Sequence, residues 1–269
     1  MDVNKVLFIS QEIAPYLPET PMSIIGRQLP QEIQELGYEV RTFMPKYGYI
    51  NERRNQLHEV IRLSGMNIPI DDSDHPLIIK VATLQPARMQ VYFIYNDDYF
   101  MRNVSKDIET VISPECNDER CIFFVRGVME TVKKLRWEPD VIHCHGWISA
   151  LTPLYLKHMY KEEPIFANSK VVYSLYNDAY TEPFDIRLAE KMKEDGILPE
   201  DVAPIEGKPV DYIALTKLAI AHSHGVIQNS PEINPEILDF IKEIGIPFLP
   251  YQEQNEGYAE KCVDFYKSI

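Results

Sequence analysis

The chain has 269 residues, of which 45% are hydrophobic and 11% aromatic, which is enough to bury a sizeable core and excludes a disordered protein. Its 41 acidic residues outnumber its 27 basic residues, and the formal net charge of -14 excludes a surface that follows nucleic acid phosphates. We therefore expect no nucleic acid partner.

The first part of the chain reads as a strand, a helix and a second strand. "KVLFIS" at 5–10 and "EVRTFM" at 39–44 are rich in residues that favour strands. Between them, apolar residues from 22 to 36 recur every three or four positions, which predicts an amphipathic helix. This order is typical of a βαβ unit in a parallel sheet.

The ends of this first helix carry recognisable signals. Thr20 is a natural N-cap, Pro21 suits the first helical position and Gly37 closes the helix. Pro30 lies inside the pattern, so we expect a kink or break there. The turn before the helix has no glycine until Gly26, although phosphate-binding turns usually rely on glycines.

The middle of the chain predicts a hairpin and a long helix. The β-rich runs 77–84 and 89–95 are separated by a short turn at 85–88. An amphipathic helix is predicted over 118–136, and "PDVIHCHGW" at 139–147 follows it as a buried parallel strand.

The C-terminal half continues the alternation of strands and helices. Its predicted elements are a strand at 170–176, helices near 185–194 and 212–222, a strand at 225–229, a helix capped near Asn234, a short run at 246–251 and a last helix over 253–267. We predict an α/β fold with one Rossmann-like, doubly wound, mostly parallel sheet of about six or seven parallel strands. This domain covers 1–250, and 251–269 forms a C-terminal helix that packs back on it.

Cysteine usage and hydropathy indicate the compartment. The four cysteines have irregular spacing without a C-x-x-C pair, in a chain large enough to fold without disulfides, so we interpret them as reduced thiols of a cytoplasmic protein. No run approaches the roughly 20 apolar residues of a membrane span, and "VLFIS" is too short for the core of a signal peptide. We therefore expect no membrane partner.

Motifs exclude two rival enzyme classes. All 11 glycines are isolated, so the G-x-G of dinucleotide-binding enzymes is absent, and no G-x-S-x-G of a hydrolase occurs. His143 and His145, with Cys144 between them, lack a motif for a third metal ligand. We expect no metal and no cofactor.

Five segments, in order and at compatible spacing, carry a resemblance to a known family. They are "KVLFISQEIAPYL", "LPQEIQELGYEVRTFMPKYG", "RWEPDVIHCHGWISALTPLYL", "VVYSLYNDAY" and "HSHGVIQNSPEINPEI". They resemble the S-E-x-x-P strand, the first helix and second strand, the P-D-V-V-H-x-H-D-W-H segment, the T-x-H-N-x-A-Y strand end and the A-D-x-x-x-x-V-S-P stretch of starch and glycogen synthases. The chain looks like a single N-terminal-type domain of these two-domain GT-B glycosyltransferases.

The resemblance implies an activity as well as a fold. Family enzymes transfer glucose from ADP-glucose or UDP-glucose to an α-1,4-glucan in glycogen or starch biosynthesis, within a cleft between two Rossmann domains. The N-terminal domain presents mainly the acceptor side. Since the sequence stops at Ile269, where the second domain of a synthase would start, we expect only the acceptor-side half of a hexosyltransferase.

The family's polar motif positions are partly replaced. Its K-x-G-G-L turn falls on "PETPM", with Pro18 at the lysine and Thr20 and Pro21 at the two glycines. Pro21 removes a backbone donor, so we expect no phosphate binding at this helix terminus. The aspartate and second histidine of D-W-H fall on Gly146 and Ile148. These losses indicate a degenerate active site.

The candidate ligand-binding residues match family motifs or lie at strand ends. They are Glu12, Thr20, His143, His145, Trp147, Asn177, Tyr180 and Ser230. His143 and His145 lie two apart at a strand end, so both should face the crevice, with structural hydrogen bonding as the alternative. No residue receives a catalytic role.

Two hypotheses of function remain open. In the first, the chain is a half-length synthase homologue that completes its cleft with a partner synthase chain or a second copy. In the second, it is a non-catalytic module that binds an α-glucan or nucleotide sugar, or that regulates a full-length synthase. The turn at 17–21 favours the second for the isolated chain, because transfer needs charge stabilisation at the departing diphosphate.

Overall fold

The computed structural model describes residues 3–101, 116–254 and 257–269. Ten strands in these ranges hydrogen-bond to one another. They are β1 (Lys5–Ser10), β2 (Glu39–Pro45), β3 (His58–Glu59), β4 (Met66–Ile70), β5 (Ser73–Leu84), β6 (Met89–Tyr95), β7 (Val141–His145), β8 (Lys170–Leu175), β9 (Gly225–Gln228) and β10 (Phe248–Leu249).

The first strand lies in the middle of the sheet. The order is β10-β9-β8-β7-β1-β2-β6-β5-β3, and β4 pairs with β5 outside this path. The strands from β10 to β6 run parallel to their neighbours, as predicted, and β5 pairs antiparallel with β6, as the hairpin prediction requires. The chain leaves β1 toward β2 and later adds β7 on the other side. This switch point between β1 and β7 is where open α/β sheets bind ligands.

Helices flank the sheet. Those in the described residues are α1 (Pro21–Glu35), α2 (Asp97–Phe100), α3 (Asn117–Leu135), α4 (Thr152–Lys157), α5 (Leu188–Glu194), α6 (Pro199–Val202), α7 (Tyr212–Ala221), α8 (Pro235–Ile244) and α9 (Tyr258–Ser268). Within the same ranges, none of the helices combines the length and the apolar character needed to cross a membrane.

The residues of β1 show why both faces of the sheet are covered. Leu7 and Ile9 belong to a large buried cluster that includes apolar residues of α3. Val6 and Phe8 belong to a second buried cluster with residues of α1 and α9. Because successive residues of a strand point to opposite faces, this division makes the sheet doubly wound.

Three predicted helices differ from the observed ones. Of the kink or break expected at Pro30, the break is wrong, because α1 continues through Pro30 with Ile25, Leu29 and Ile33 at most 2% exposed along the buried face. The helix predicted near 185–194 occupies only Leu188–Glu194. The last helix begins at Tyr258 rather than near residue 253, directly after Gly257, which has a φ of +91°.

Candidate functional site

The carboxyl ends of β1, β7, β8 and β9 open onto one crevice. The segments that follow these strands are 11–20, 146–149, 176–180 and 229–234. Six of the eight candidate residues lie on these segments, whereas His143 and His145 lie within β7 itself. Parallel pairing thus brings together residues that are far apart in the sequence.

The N-terminus of α1 is capped by its own chain. Thr20 Oγ1 accepts a hydrogen bond from the Ser23 N–H at 3.0 Å, and Ser23 Oγ accepts one from the Thr20 N–H at 2.8 Å. The Ile24 N–H donates to the Thr20 carbonyl at 3.0 Å, and Pro21 has no N–H. The Thr20 hydroxyl donates to Glu12 Oε2 at 2.5 Å. The terminus therefore faces a carboxyl group and offers few donors to a phosphate.

The side chain of Gln11 fills the space beside Gly146. It donates to Glu12 Oε1 at 3.5 Å and accepts from the Ile148 N–H at 3.3 Å. A Cβ on Gly146 would lie 2.7 Å from both Cβ and Oε1 of Gln11, and Gly146 has a φ of +85°. An aspartate, as in the family motif, does not fit here while Gln11 holds this position. Glu12 is 5% exposed, and burial raises the pKa of its carboxyl against the opposing hydrogen bonds.

His143 and His145 are fully buried, and the expectation that both face the crevice does not fit this arrangement. His143 Nδ1 lies 2.7 Å from the Tyr266 hydroxyl of α9, and its Nε2 lies 2.6 Å from the Ser174 hydroxyl. His145 Nδ1 lies 2.7 Å from the Tyr176 hydroxyl. Burial lowers the pKa of both, that of His145 to about 3, which keeps both rings neutral at physiological pH. In the described ranges no group of three or more His, Cys, Asp or Glu side chains is arranged to hold a metal ion.

Aromatic rings cluster beside the crevice, where Tyr180 and Tyr212 line an open pocket and Trp147 and Phe184 are buried behind them. The ring of Tyr180 stacks on Phe184 with centroids 4.6 Å apart. The ring centroids of Trp147 and Tyr212 lie 5.4 and 5.9 Å from that of Tyr180, both in edge-to-face arrangements. Rings of this kind combine an apolar surface with polar groups, which suits the apolar face and hydroxyls of a sugar.

The open pocket of about 460 Å³, here called the β8–β9 pocket, lies beside these rings. Its volume is within the range of small-molecule sites. It is lined by Tyr176, Asn177, Ala179, Tyr180, Asp211, Tyr212, Ile213, Glu232, Ile233, Asn234 and Ile237. The Asn177 N–H donates to Ser230 Oγ at 3.0 Å, so these two candidates meet at its edge. The charged members of this lining are both acidic, which favours a neutral polar ligand over a diphosphate.

Asp178 is a site residue that the sequence interpretation missed. Its Oδ1 accepts a hydrogen bond from the Tyr212 hydroxyl at 2.6 Å, and its Oδ2 accepts one from the Trp147 N–H at 3.3 Å. Asp178 is half-buried, and this burial raises the pKa of its carboxyl group to about 7 against the hydrogen bond from Tyr212, with the charge of Glu12 acting in the same direction as burial. One signal in the sequence could have identified it, because Asp178 is an acidic residue at the variable position after Asn177 in the family's T-x-H-N-x-A-Y motif.

Comparisons with known proteins agree with this architecture. A family model described as the starch synthase catalytic domain matches residues 5–246. The glycogen synthase of Pelodictyon phaeoclathratiforme is 32% identical over 257 residues, which is 95% of this chain and 52% of that protein. The glycogen synthase of Chlorobium luteolum is 38% identical over 200 residues, or 74% of this chain and 40% of that protein. The chain spans about half the length of the curated relatives it matches.

A solved structure shows the same fold. The catalytic domain of Starch Synthase IV from Arabidopsis thaliana, bound to ADP and acarbose, matches with a TM-score of 0.69 and 17% identity. The match covers 93% of this chain and 51% of that one. At this identity the likeness supports the fold alone.

Proposed function

The chain belongs to the starch synthase catalytic domain family, and on this premise we propose that it is an acceptor-side lobe that binds α-glucan in the β8–β9 pocket. We propose further that the chain by itself does not transfer glucose. Its glycogen synthase relative from Pelodictyon phaeoclathratiforme is about twice as long.

The chemistry of the β8–β9 pocket carries this proposal. Asn177 and Glu232 are exposed, and both can hydrogen-bond to sugar hydroxyls. The rings of Tyr180 and Tyr212 add apolar surface beside these polar groups. A neutral oligosaccharide uses both features, whereas a diphosphate would meet Asp211 and Glu232 without a lining cation.

The N-terminus of α1 supports the absence of transfer. Glucosyl transfer from a nucleotide sugar needs donors at the oxygen atoms of the departing diphosphate. Here Thr20 and Ser23 bond to each other and Glu12 adds an acidic group. We infer that transfer would require donors from a partner synthase chain or a second copy.

Calorimetric titration tests the proposal. We expect the purified chain to bind maltohexaose, and not ADP-glucose or UDP-glucose. Asn177→Ala should weaken maltohexaose binding about fivefold, the effect of one lost hydrogen bond. Asn67→Ala, an exposed change on β4, is the matched control and should leave the affinity unchanged. Transfer of labelled glucose to glycogen by the chain alone would contradict the proposal.

The cysteines bear on location. All four are free, and Cys121, Cys144 and Cys262 are buried. Free thiols are typical of a reducing compartment, which supports our proposal of a cytoplasmic location.

A further inference from the structure

If the carboxyl group of Asp178 is ionised, the acceptors around the Tyr212 hydroxyl outnumber the protons it can donate. The Tyr212 hydroxyl lies 2.6 Å from Asp178 Oδ1 and 2.9 Å from the Tyr176 carbonyl oxygen. A tyrosine hydroxyl has one proton to donate, so a carboxylate and a carbonyl would compete for it. The Trp147 N–H bonds to the other carboxyl oxygen and cannot resolve this competition.

A proton on Asp178 Oδ1 completes the network. The carboxylic acid then donates to the Tyr212 oxygen, and the Tyr212 hydroxyl donates to the Tyr176 carbonyl. Oδ2 still accepts from the Trp147 N–H. Each polar atom in this set has a partner, which is the arrangement that burial favours.

The surroundings of Asp178 also favour its neutral form. Burial raises the pKa of Asp178, and the charge of Glu12 in the loop after β1 acts in the same direction, against the hydrogen bonds from Tyr212 and the Trp147 N–H. Within the described residues, burial and the charge of Asp178 also raise the pKa of four tyrosine hydroxyls, namely Tyr173 of β8, Tyr176 and Tyr180 of the loop that follows it, and Tyr212 of α7.

We propose that Asp178 is a positioning residue that acts as a neutral carboxylic acid and makes saccharide binding sensitive to pH. When protonated, it leaves the Tyr212 hydroxyl free to donate to the Tyr176 carbonyl, and this bond holds the start of the loop after β8, which carries Asn177 and Tyr180, in the wall of the β8–β9 pocket. When Asp178 is ionised, the Tyr212 hydroxyl donates to the carboxylate instead of to the Tyr176 carbonyl. The wall of the pocket then loses this hydrogen bond and becomes looser. The saccharide part of this inference rests on the proposed function, whereas the protonation part does not.

The first experiment needs no ligand. The sequence has two tryptophans, so labelling with ¹⁵N-tryptophan gives two backbone amide signals. The Trp147 amide, which donates to Asp178, should shift with a midpoint near pH 7, whereas the Trp137 amide should not follow that transition. A Trp147 signal that stays constant between pH 5 and 9 overturns the proposal.

The second experiment measures maltohexaose affinity against pH in the wild type and in Asp178→Asn. An asparagine can donate to Tyr212 through its NH₂ group and accept from Trp147 through its oxygen, so it imitates the protonated acid. Wild-type affinity should fall about fivefold from pH 6 to pH 8, whereas the variant should keep the pH 6 affinity throughout.

The outcomes of the two experiments separate the two proposals. Equal pH dependence in wild type and variant overturns the role of Asp178 in binding. A titrating Trp147 amide without maltohexaose binding at any pH contradicts the proposed function and supports the neutral carboxylic acid.

Discussion

The N-terminus of α1 and the β8–β9 pocket lie on the same edge of the sheet, but their polar groups are used differently. At α1, Thr20 and Ser23 cap each other and the Thr20 hydroxyl bonds to Glu12. At the pocket, Asn177 and Glu232 are exposed to solvent. The first region is closed by its own side chains, and the second is open to a ligand.

The difference follows from which atoms each kind of site needs. A phosphate site at a helix start depends on backbone N–H groups, so a proline and a self-bonded cap remove several donors together. A saccharide pocket depends on side chains from separate loops, and the loss of one leaves the others in place. Divergence within the family can therefore remove the first site and keep the second.

The largest expected effect tests whether the space beside Gly146, which the side chain of Gln11 fills, can accept a larger residue than glycine. Gly146→Ala should lower the free energy of unfolding by about 3 kcal/mol, because a Cβ meets Gln11 in a backbone conformation that favours glycine. Gly245→Ala is the matched control, with a φ of +66° and no atom within 4 Å of the added Cβ, and should cost about 1 kcal/mol. Urea unfolding measures both. Equal costs would show that Gln11 moves aside for the added Cβ.

The next prediction tests whether His143 is a buried structural residue or a ligand-binding one. Tyr266→Phe removes the hydroxyl that bonds to His143 Nδ1 and should cost about 2 kcal/mol of stability, because a buried nitrogen loses its partner. Maltohexaose affinity should not change. Tyr251→Phe, at a half-buried position, is the control. A tenfold loss of affinity in Tyr266→Phe at unchanged stability would instead assign His143 to the binding site.

The fold was largely predictable because it depends on local patterns. The buried run at 139–147 and the periodic helix before it predict one strand and its crossover, and repetition of this unit predicts the parallel sheet. Alternation along β7 also predicts that His143 and His145 share a face. It does not predict which face, because that depends on Tyr266, 123 residues away from His143.

The candidate site was less predictable because its bonds join distant segments. The hydroxyl that bonds to Asp178 comes from Tyr212, 34 residues later in the chain. The Gln11 amide that fills the space at Gly146 comes from the loop after β1. Family motifs mark single positions, whereas these contacts appear only when the strand ends are brought together.

A smaller effect tests whether the helix cap alone closes the α1 terminus. Thr20→Ala should cost about 1 kcal/mol of stability through loss of the cap. Asn234→Ala, which removes the cap of α8, should cost a similar amount and is the control. We expect no ADP-glucose binding to appear in Thr20→Ala by calorimetry, because Pro21 and Glu12 remain. Binding in this variant alone would mean that one hydroxyl keeps the site closed.

The smallest effect tests whether the charge of Glu12 at the N-terminus of α1 acts on the β8–β9 pocket. Burial raises the pKa of Glu12 in the folded state, so an unfolded chain loses this proton first as the pH rises above about 4.3. The wild type should therefore lose stability relative to Glu12→Gln from that pH until the folded-state pKa is passed, and the difference should then stay constant. Glu19→Gln, an exposed change in the same turn, should follow the wild-type profile.

The same variant acts on the open region through Asp178. Since the charge of Glu12 contributes to the raised pKa of Asp178, Glu12→Gln should move the midpoint of the Trp147 amide titration to lower pH. The shift should be modest, because burial is the larger cause and remains in the variant. An unchanged midpoint would mean that the two carboxyl groups titrate independently, and that the α1 terminus can vary without altering the pocket beside it.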